Sequence, residues 1–318
     1  MKLIKVKALL PVRLDKYLME QFPSLSIGKL NKALRENKIK LNGKKQPLST
    51  RICAGDEIKL FIPDDQLGCT ETTANGADFL KARFPAKPIY QDEHVLIVNK
   101  PAGIPVMDDT CPDSLINRVL LYLYRENLWT PGQGFTPALC HRLDTGTSGL
   151  VLIARDAATE QALLQLIKQR RVKKQYLCVT FGRPSPANAI LKGYLEKDSA
   201  KGQVKVFDRP APERKEIETH YNTIAISGRL ALLEVDLVTG RTHQIRAHMA
   251  SIGCPILGDS KYGNNTANRE LKLKYQALCA WKLTFPILDE PELQGISGKT
   301  FHAEKPWWYQ QMLDGELK

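Results

Sequence analysis

The stretch HRLDTGTSGLVLIA, residues 141–154, reads as a polar turn running directly into a strand. GLVLIA is an unbroken apolar run, the pattern of a strand covered on both faces, and the Thr, Gly and Ser before it supply turn chemistry. Asp144, the single carboxylate of this stretch, therefore belongs at a sheet edge. An Asp at a turn is ordinarily an acceptor for nearby backbone N–H groups, and Arg142 beside it could equally serve as a structural ion-pair partner. The segment alone leaves those readings open.

Similar short β-rich runs lie on either side: VLIVNK (95–100), YLCVTF (176–181) and LALLEVDLV (230–238). Between them, residues 157–170 carry Ala158, Ala162, Leu163, Leu166 and Ile167 at helical spacing. The mixture predicts an α+β architecture. No solenoid-length repeat and no low-complexity segment interrupts it.

The first 63 residues have a different character. They hold 14 Lys and Arg against 5 Asp and Glu, an excess of nine within a chain total of +12. Such a local excess concentrates polyanions at the surface, which makes nucleic acid the first partner to consider; a merely soluble basic face is the alternative. Leu14, Tyr17 and Leu18 recur at helical spacing. After Ser26 a second helix is expected, with Ile27, Leu30, Ala33 and Leu34 on one face and Lys29, Lys32 and Arg35 on the other; Lys38 follows it. KIKLNGKK puts Asn42 and Gly43 at a tight turn that needs positive φ, and the strand EIKLFIP closes the unit at Pro63. Residues 64–87, starting DDQLGCTETTANGAD, lack periodicity and are expected to form a linker. The expected division is 1–63, a linker over 64–87, and 88–318.

Three chemistries lack their signatures. A serine hydrolase elbow needs G-x-S-x-G, and the chain has GTSG. A zinc hydrolase would carry two histidines one helical turn apart with a glutamate, whereas His243 and His248 are five residues apart and read as packing or hydrogen-bonding groups. Neither phosphate-binding glycine pattern occurs. The seven cysteines, at 53, 69, 111, 140, 178, 254 and 279, form no CxxC pair, so structural zinc is not expected and most are read as packing residues. The odd cysteine count, the lack of a secretory leader and the absence of an apolar run of roughly 18 residues predict a cytoplasmic protein without a membrane span.

HRLDTGTSGL resembles the signature of the RluA family of pseudouridine synthases, whose aspartate corresponds to Asp144. The family's other signatures occur in order: YQDEHVLIVNKPAGIPV (90–106), KKQY ending at Tyr176, and LVTGRTHQIRAHMASIGCPILGDSKYG (237–263). The resemblance spans about residues 88–281, with Cys254 where the family usually has histidine. VRLDKYL, the Lys-rich helix, IKLNGKK and AGDEIKL are similar, in that order, to the S-four-type RNA-binding module, in which such a helix face meets RNA phosphates.

These resemblances imply an RNA pseudouridine synthase with a mixed, mostly antiparallel sheet and flanking helices, preceded by a small α+β RNA-binding domain. They imply Asp144 as the carboxylate acting at the glycosidic bond, by attack at C1′ or by removal of the C2′ proton. Arg246 would keep that carboxylate ionised, and Tyr176 would stack on the extruded uracil. Arg142 and Arg241 would bind substrate, Arg241 at a phosphate, and Lys29, Lys32 and Arg35 on the basic helix, with Lys38 after it, would meet RNA. Lys100 and Pro101 would shape the cleft floor or simply form a turn. No metal and no cofactor is implied, and a monomer is expected. The implied substrate is large-subunit ribosomal RNA, with transfer RNA as the alternative. A catalytically idle RNA-binding assembly factor is a rival reading, against which the intact HRLD, Tyr176 and Arg246 argue. A hydrolase using Asp144 and His141 would instead release free uracil.

Overall fold

In this computed structural model the structure describes residues 2–6, 12–22, 25, 27–53, 55–62, 78–108, 110–198 and 202–317. They belong to two compact units, one within residues 1–76 and one within 77–318.

The first unit contains β1 (Lys2–Lys5), β2 (Val12–Arg13), the helices Leu14–Gln21 and Ile27–Arg35, β3 (Ile39–Leu41), β4 (Arg51–Ile52) and β5 (Glu57–Leu60). β5 pairs antiparallel with both β1 and β3, and β2 pairs with β4. Strand β5 alternates: Ile58 and Leu60 are fully buried while Glu57 and Lys59 reach outward. Leu14, Leu18, Leu30, Ile39 and Ile52 complete a core that both helices cover. Asn42 and Gly43 take φ of 49° and 77°, and Leu41 and Lys44 exchange backbone hydrogen bonds across them, as the sequence predicts for this turn. One apolar position departs from expectation. Ile27, in the first turn of its helix, is 48% exposed, while Leu30 and Ala33 carry the packing. Ser26 and Pro63 lie outside the described residues.

The second unit is built on a sheet that, among the described residues, has eleven strands: β6 (Pro88–Gln91), β7 (Val95–Lys100), β8 (Ala138–Leu139), β9 (Ser148–Ala154), β10 (Lys173–Phe181), β11 (Asn188–Asp198), β12 (Gln203–Phe207), β13 (Lys215–Ser227), β14 (Leu230–Leu237), β15 (Leu278–Thr284) and β16 (Thr300–His302). Their order is β12-β11-β13-β14-β10-β15-β9-β7-β6, with β16 beside β15 and β8 beside β9. The pairs are antiparallel except β9 with β15, which run parallel. The α+β class and the mostly antiparallel sheet agree with expectation.

The central strands are apolar on both faces because helices cover both. Leu96, Val98, Val151, Ile153, Tyr176 and Cys178 face the helices Leu115–Arg125 and Gln244–Ser251. Val95, Ile97, Leu150, Leu152, Leu177 and Val179 face the helices Ala157–Lys168 and Trp307–Leu313. Cys140, Cys178, Cys254 and Cys279 are buried among these residues, as packing groups. Residues 64–77 of the expected linker lie outside the described residues. Residues 78–87 belong to the second unit: Phe79, on a 3-10 turn at Asp78–Lys81, is buried edge-on against Tyr124 and Trp129. Among the described residues, no helix is long and apolar enough to cross a membrane.

Candidate active site

Asp144 sits in the loop between β8 and β9, and the approach of β15 explains the small residues that follow it. β9 enters the sheet with Gly149 opposite Ala280 of β15. Gly149 has φ of 114°, and a Cβ there would lie 2.2 Å from the Ala280 carbonyl oxygen, so only glycine permits this junction. Ala280 also pairs with Tyr176 of β10, so Gly149, Ala280 and Tyr176 form one row across three strands. Two inter-strand spacings, about 10 Å, thus separate the start of β9 from the Tyr176 backbone. The register of β10 against β15 shifts between Gln175 and Tyr176.

Three groups pin the loop. The Lys100 ammonium, fully buried, donates to the carbonyls of Pro101, Ile104 and Thr145 at 3.0, 2.9 and 3.1 Å. The Gly103 N–H donates to the Thr145 carbonyl at 2.7 Å, and Gln276 Nε2 donates to Thr147 Oγ1 at 3.1 Å. Burial draws the Lys100 pKa down to about 7, with Asp144 opposing that shift. The three carbonyls also favour the ammonium, because a neutral amine has only two hydrogens to offer them. Lys100 thus fastens the 101–104 turn to the Asp144 loop.

The chain 237–251 brings Arg246 to the same place. His243 takes the left-handed conformation at φ 54° and starts the helix Gln244–Ser251. Gln244 locks this corner: its Oε1 accepts from Thr239 Oγ1 at 2.8 Å and the Arg241 N–H at 3.1 Å. Its Nε2 donates to the Glu218 carbonyl and to Thr219 Oγ1. The Arg246 side chain, 6% exposed, is buried. Its Nε and Nη2 donate to the two oxygens of Asp259 at 2.7 and 2.9 Å, a bidentate clamp, and Nη1 donates to Asp144 Oδ2 at 2.7 Å. Asp259 has no exposed surface, and its Oδ1 also accepts the N–H groups of Lys261 and Tyr262.

The electrostatics follow from this chain of partners. Burial works against the Arg246 charge, but the hydrogen bonds and charge of Asp259, and then of Asp144, outweigh it and raise the pKa. Burial likewise opposes ionisation of Asp259, and Arg246 overrides it, leaving the carboxyl below its usual range. Arg246 is therefore a fixed cation presented to Asp144. Asp144 remains 25% exposed on its side chain, and its Oδ1 accepts no hydrogen bond among the described residues.

His243 Nε2 lies 3.8 Å from Asp144 Oδ2, and its Nδ1 is 3.0 Å from the Tyr262 hydroxyl. That hydroxyl already accepts the Val204 N–H at 2.8 Å, so the network assigns its proton to Nδ1 and leaves Nε2 protonated toward Asp144. Burial lowers the His243 pKa, keeping the ring neutral. His248 instead hydrogen-bonds Thr219 Oγ1 at 3.0 Å. His141 is committed elsewhere: its Nε2 accepts the Leu152 N–H at 3.2 Å, and burial, then Lys174, pushes its pKa to about 3.

Asp144, Tyr176 and Arg246 line one cavity of about 500 Å³ together with Arg142, Lys174 and Arg241. Tyr176 is only 6% exposed and belongs to the core as well as to the cavity wall. Burial, then the Asp144 charge, pushes its phenol pKa up, so the hydroxyl stays protonated. Arg142 and Arg241 are exposed and form no ion pair among the described residues; the counter-ion of Asp144 is Arg246, not Arg142. In the first unit Lys29, Lys32 and Arg35 are exposed on the helix Ile27–Arg35, and Lys38 pairs with Glu36 at 2.7 Å. Asp259, His243 and Tyr262 were not singled out as site residues by the sequence, although all three fall within the 237–263 signature.

The fold thus sets a clamped guanidinium, a carboxylate with one unbonded oxygen and an aromatic wall around a single cavity. A family model described as RNA pseudouridylate synthase matches residues 94–251. The chain is 35% identical over 269 residues to ribosomal large subunit pseudouridine synthase C of Rickettsia bellii, covering 83% of this chain and 86% of that protein. It is 30% identical over 323 residues to an uncharacterized RNA pseudouridine synthase of Mycoplasma pneumoniae, covering 99% and 98%. The solved structure of human RNA pseudouridylate synthase domain containing 4 is similar in fold, with a TM-score of 0.57 at 23% identity over 76% of this chain and 95% of that one. The chain belongs to the RNA pseudouridylate synthase family, of the RluA type its signatures resemble, and it is an RNA-modifying isomerase.

Proposed function

We propose that this chain converts uridine to pseudouridine in large-subunit ribosomal RNA, with Asp144 as the carboxylate that assists cleavage of the C1′–N1 bond. The observation that carries the reading is the Asp144–Arg246–Asp259 chain: a clamped guanidinium holds one oxygen of Asp144 and leaves the other unbonded at the cavity. The free oxygen acts at C1′ as nucleophile or at C2′–H as base, and the guanidinium holds the carboxylate in place through its other oxygen. Tyr176 supplies the aromatic wall on which an extruded uracil stacks. Arg142 and Arg241, exposed where they line the cavity, meet the flanking phosphates.

The ribosomal substrate is supported by the names of relatives at 35–36% identity, which act on the large subunit as their names state. Lys29, Lys32 and Arg35 on the basic helix of the first unit, together with Lys38 just after it, serve as the phosphate-binding face of an S-four-type module. The division into a module at 1–63, a linker and a synthase domain belongs to the same reading, and the protein works as a cytoplasmic monomer. The test is a map of pseudouridines in all RNAs of cells lacking the protein, with and without a restored copy carrying Asp144→Asn. Loss of defined large-subunit sites, restored by the wild-type chain and not by Asp144→Asn, is expected. Loss confined to transfer RNA, or restoration by Asp144→Asn, would overturn it.

A further inference from the structure

Resting on that reading, we infer that the Lys174 ammonium meets the carbonyl oxygens of the extruded uracil and stabilises the negative charge they acquire when the base leaves C1′. Lys174 lies two residues before Tyr176 on β10, so both side chains project from the same face of the strand, about 7 Å apart along it. Both line the cavity that holds Asp144. Its neighbour Lys173 points away and pairs with Asp236 at 3.6 Å. The Lys174 ammonium, by contrast, makes no hydrogen bond and no ion pair among the described residues, and a Cβ built on Gly240, which also lines the cavity, would stand 3.4 Å from its Nζ. An enclosed cation without a counter-ion is costly in the empty protein, and that cost is recovered when an anionic group enters.

Two oxygen sources fit an ammonium: a phosphate, charged throughout, and the uracil, charged only during reaction. The positions separate them. Arg142 and Arg241 are exposed and suited to phosphates that stay in solvent, whereas Lys174 is mostly enclosed beside the ring on which the base would stack. In the reaction the C1′–N1 bond breaks with its electron pair on N1, and conjugation spreads that charge to O2 and O4. Asp144 meanwhile bonds to C1′ or holds the C2′ proton. After the ring turns, C5 bonds to C1′ and Asp144 is released, or the proton is returned. The C5 proton then leaves to water and N1 takes one up. A fixed cation at the carbonyl oxygens acts where charge develops, and so lowers the barrier more than it strengthens binding.

The test uses the full chain and unmodified large-subunit RNA transcribed with uridine tritiated at C5, because isomerisation releases that tritium. Single-turnover release at saturating enzyme is compared with RNA affinity for the wild type, Lys174→Met and Lys174→Arg, with circular dichroism verifying the fold of each. The expected result for Lys174→Met is a rate constant lower by on the order of 10²-fold, with affinity within about threefold. Lys174→Arg, which keeps the charge and should fold if Met does not, recovers part of the rate. A weaker affinity with an unchanged saturated rate assigns Lys174 to phosphate and overturns the inference, as does a wild-type rate in Lys174→Met. No tritium release by the wild type would overturn the functional reading itself; release by the wild type with indifferent Lys174 variants would overturn this inference alone.

Discussion

Replacing Asp259 by Asn should damage the protein in a way that replacing Asp144 by Asn does not, although both carboxylates touch the same guanidinium. Oδ1 of Asp259 accepts three N–H groups, from Arg246 Nη2, Lys261 and Tyr262, and must therefore stay an oxygen in the amide. The new NH2 group then faces Arg246 Nε–H across a gap that is now 2.7 Å, donor against donor. Arg246 is left buried with Asp144 as its one remaining charged partner. Breaking one side of a buried ion pair costs about 3–5 kcal/mol, which for a domain of this size lowers Tm by about 6–20 °C. Asp144 is a quarter exposed and accepts a single bond, so Asp144→Asn should cost no more than about 1–2 kcal/mol. Activity should sort differently: Asp144→Asn removes tritium release altogether. Asp259→Asn, assayed well below its own transition, should lower the rate because the guanidinium no longer holds the carboxylate in place. Scanning calorimetry and single-turnover tritium release on the two variants give all four numbers. An Asp259→Asn protein with wild-type Tm and rate would refute the claim that the clamp orients Arg246. A strongly destabilised Asp144→Asn would show instead that Asp144 is a structural ion-pair partner.

Tyr176→Leu should reduce turnover far more than Tyr176→Phe, because phenylalanine keeps the stacking face; equal losses would mean that the hydroxyl moves a proton. Changing Lys29, Lys32, Arg35 and Lys38 together to Ala should weaken RNA binding and flatten its log–log salt dependence by up to about 3.6, at 0.7–0.9 per phosphate contact. An unaltered slope would remove the basic helix from the interface. His248 is buried, and burial pushes its pKa down to about 4. Below pH 6.5 the unfolded chain therefore takes up a proton that the folded one refuses, and stability falls as the pH drops from 6.5 to 4. His248→Asn, which can retain the bond to Thr219, should show a shallower fall over that window, and an identical slope would place the loss on other groups.

What local sequence could establish here is what depends on a few consecutive residues. The runs 95–100, 149–154, 176–181 and 230–237 became central strands because continuous apolar letters cannot be satisfied with one face in water. Asn42–Gly43 became a positive-φ turn because side chains on most other residues would clash there. The signatures around Asp144, Tyr176 and Arg246 were legible as letters in order, and the structure brings those three to one cavity. Pairing across distance was not legible. Nothing in 278–284 announces that it runs parallel to β9, and only that pairing explains Gly149. The helix face carrying Ile27 was misjudged by periodicity, since the first turn can leave its apolar residue in solvent while the later turns hold the core. Nothing local in the sequence marks Asp259, yet its complete burial and its two bonds to Arg246 decide where that guanidinium points. Lys100 read as a turn residue or part of a cleft floor, and it proved to be a buried ammonium tying three carbonyls together. Whether a charged side chain is a solvated surface group or a fixed element of a site depends on what distant segments bury against it, and only the tertiary structure decides that.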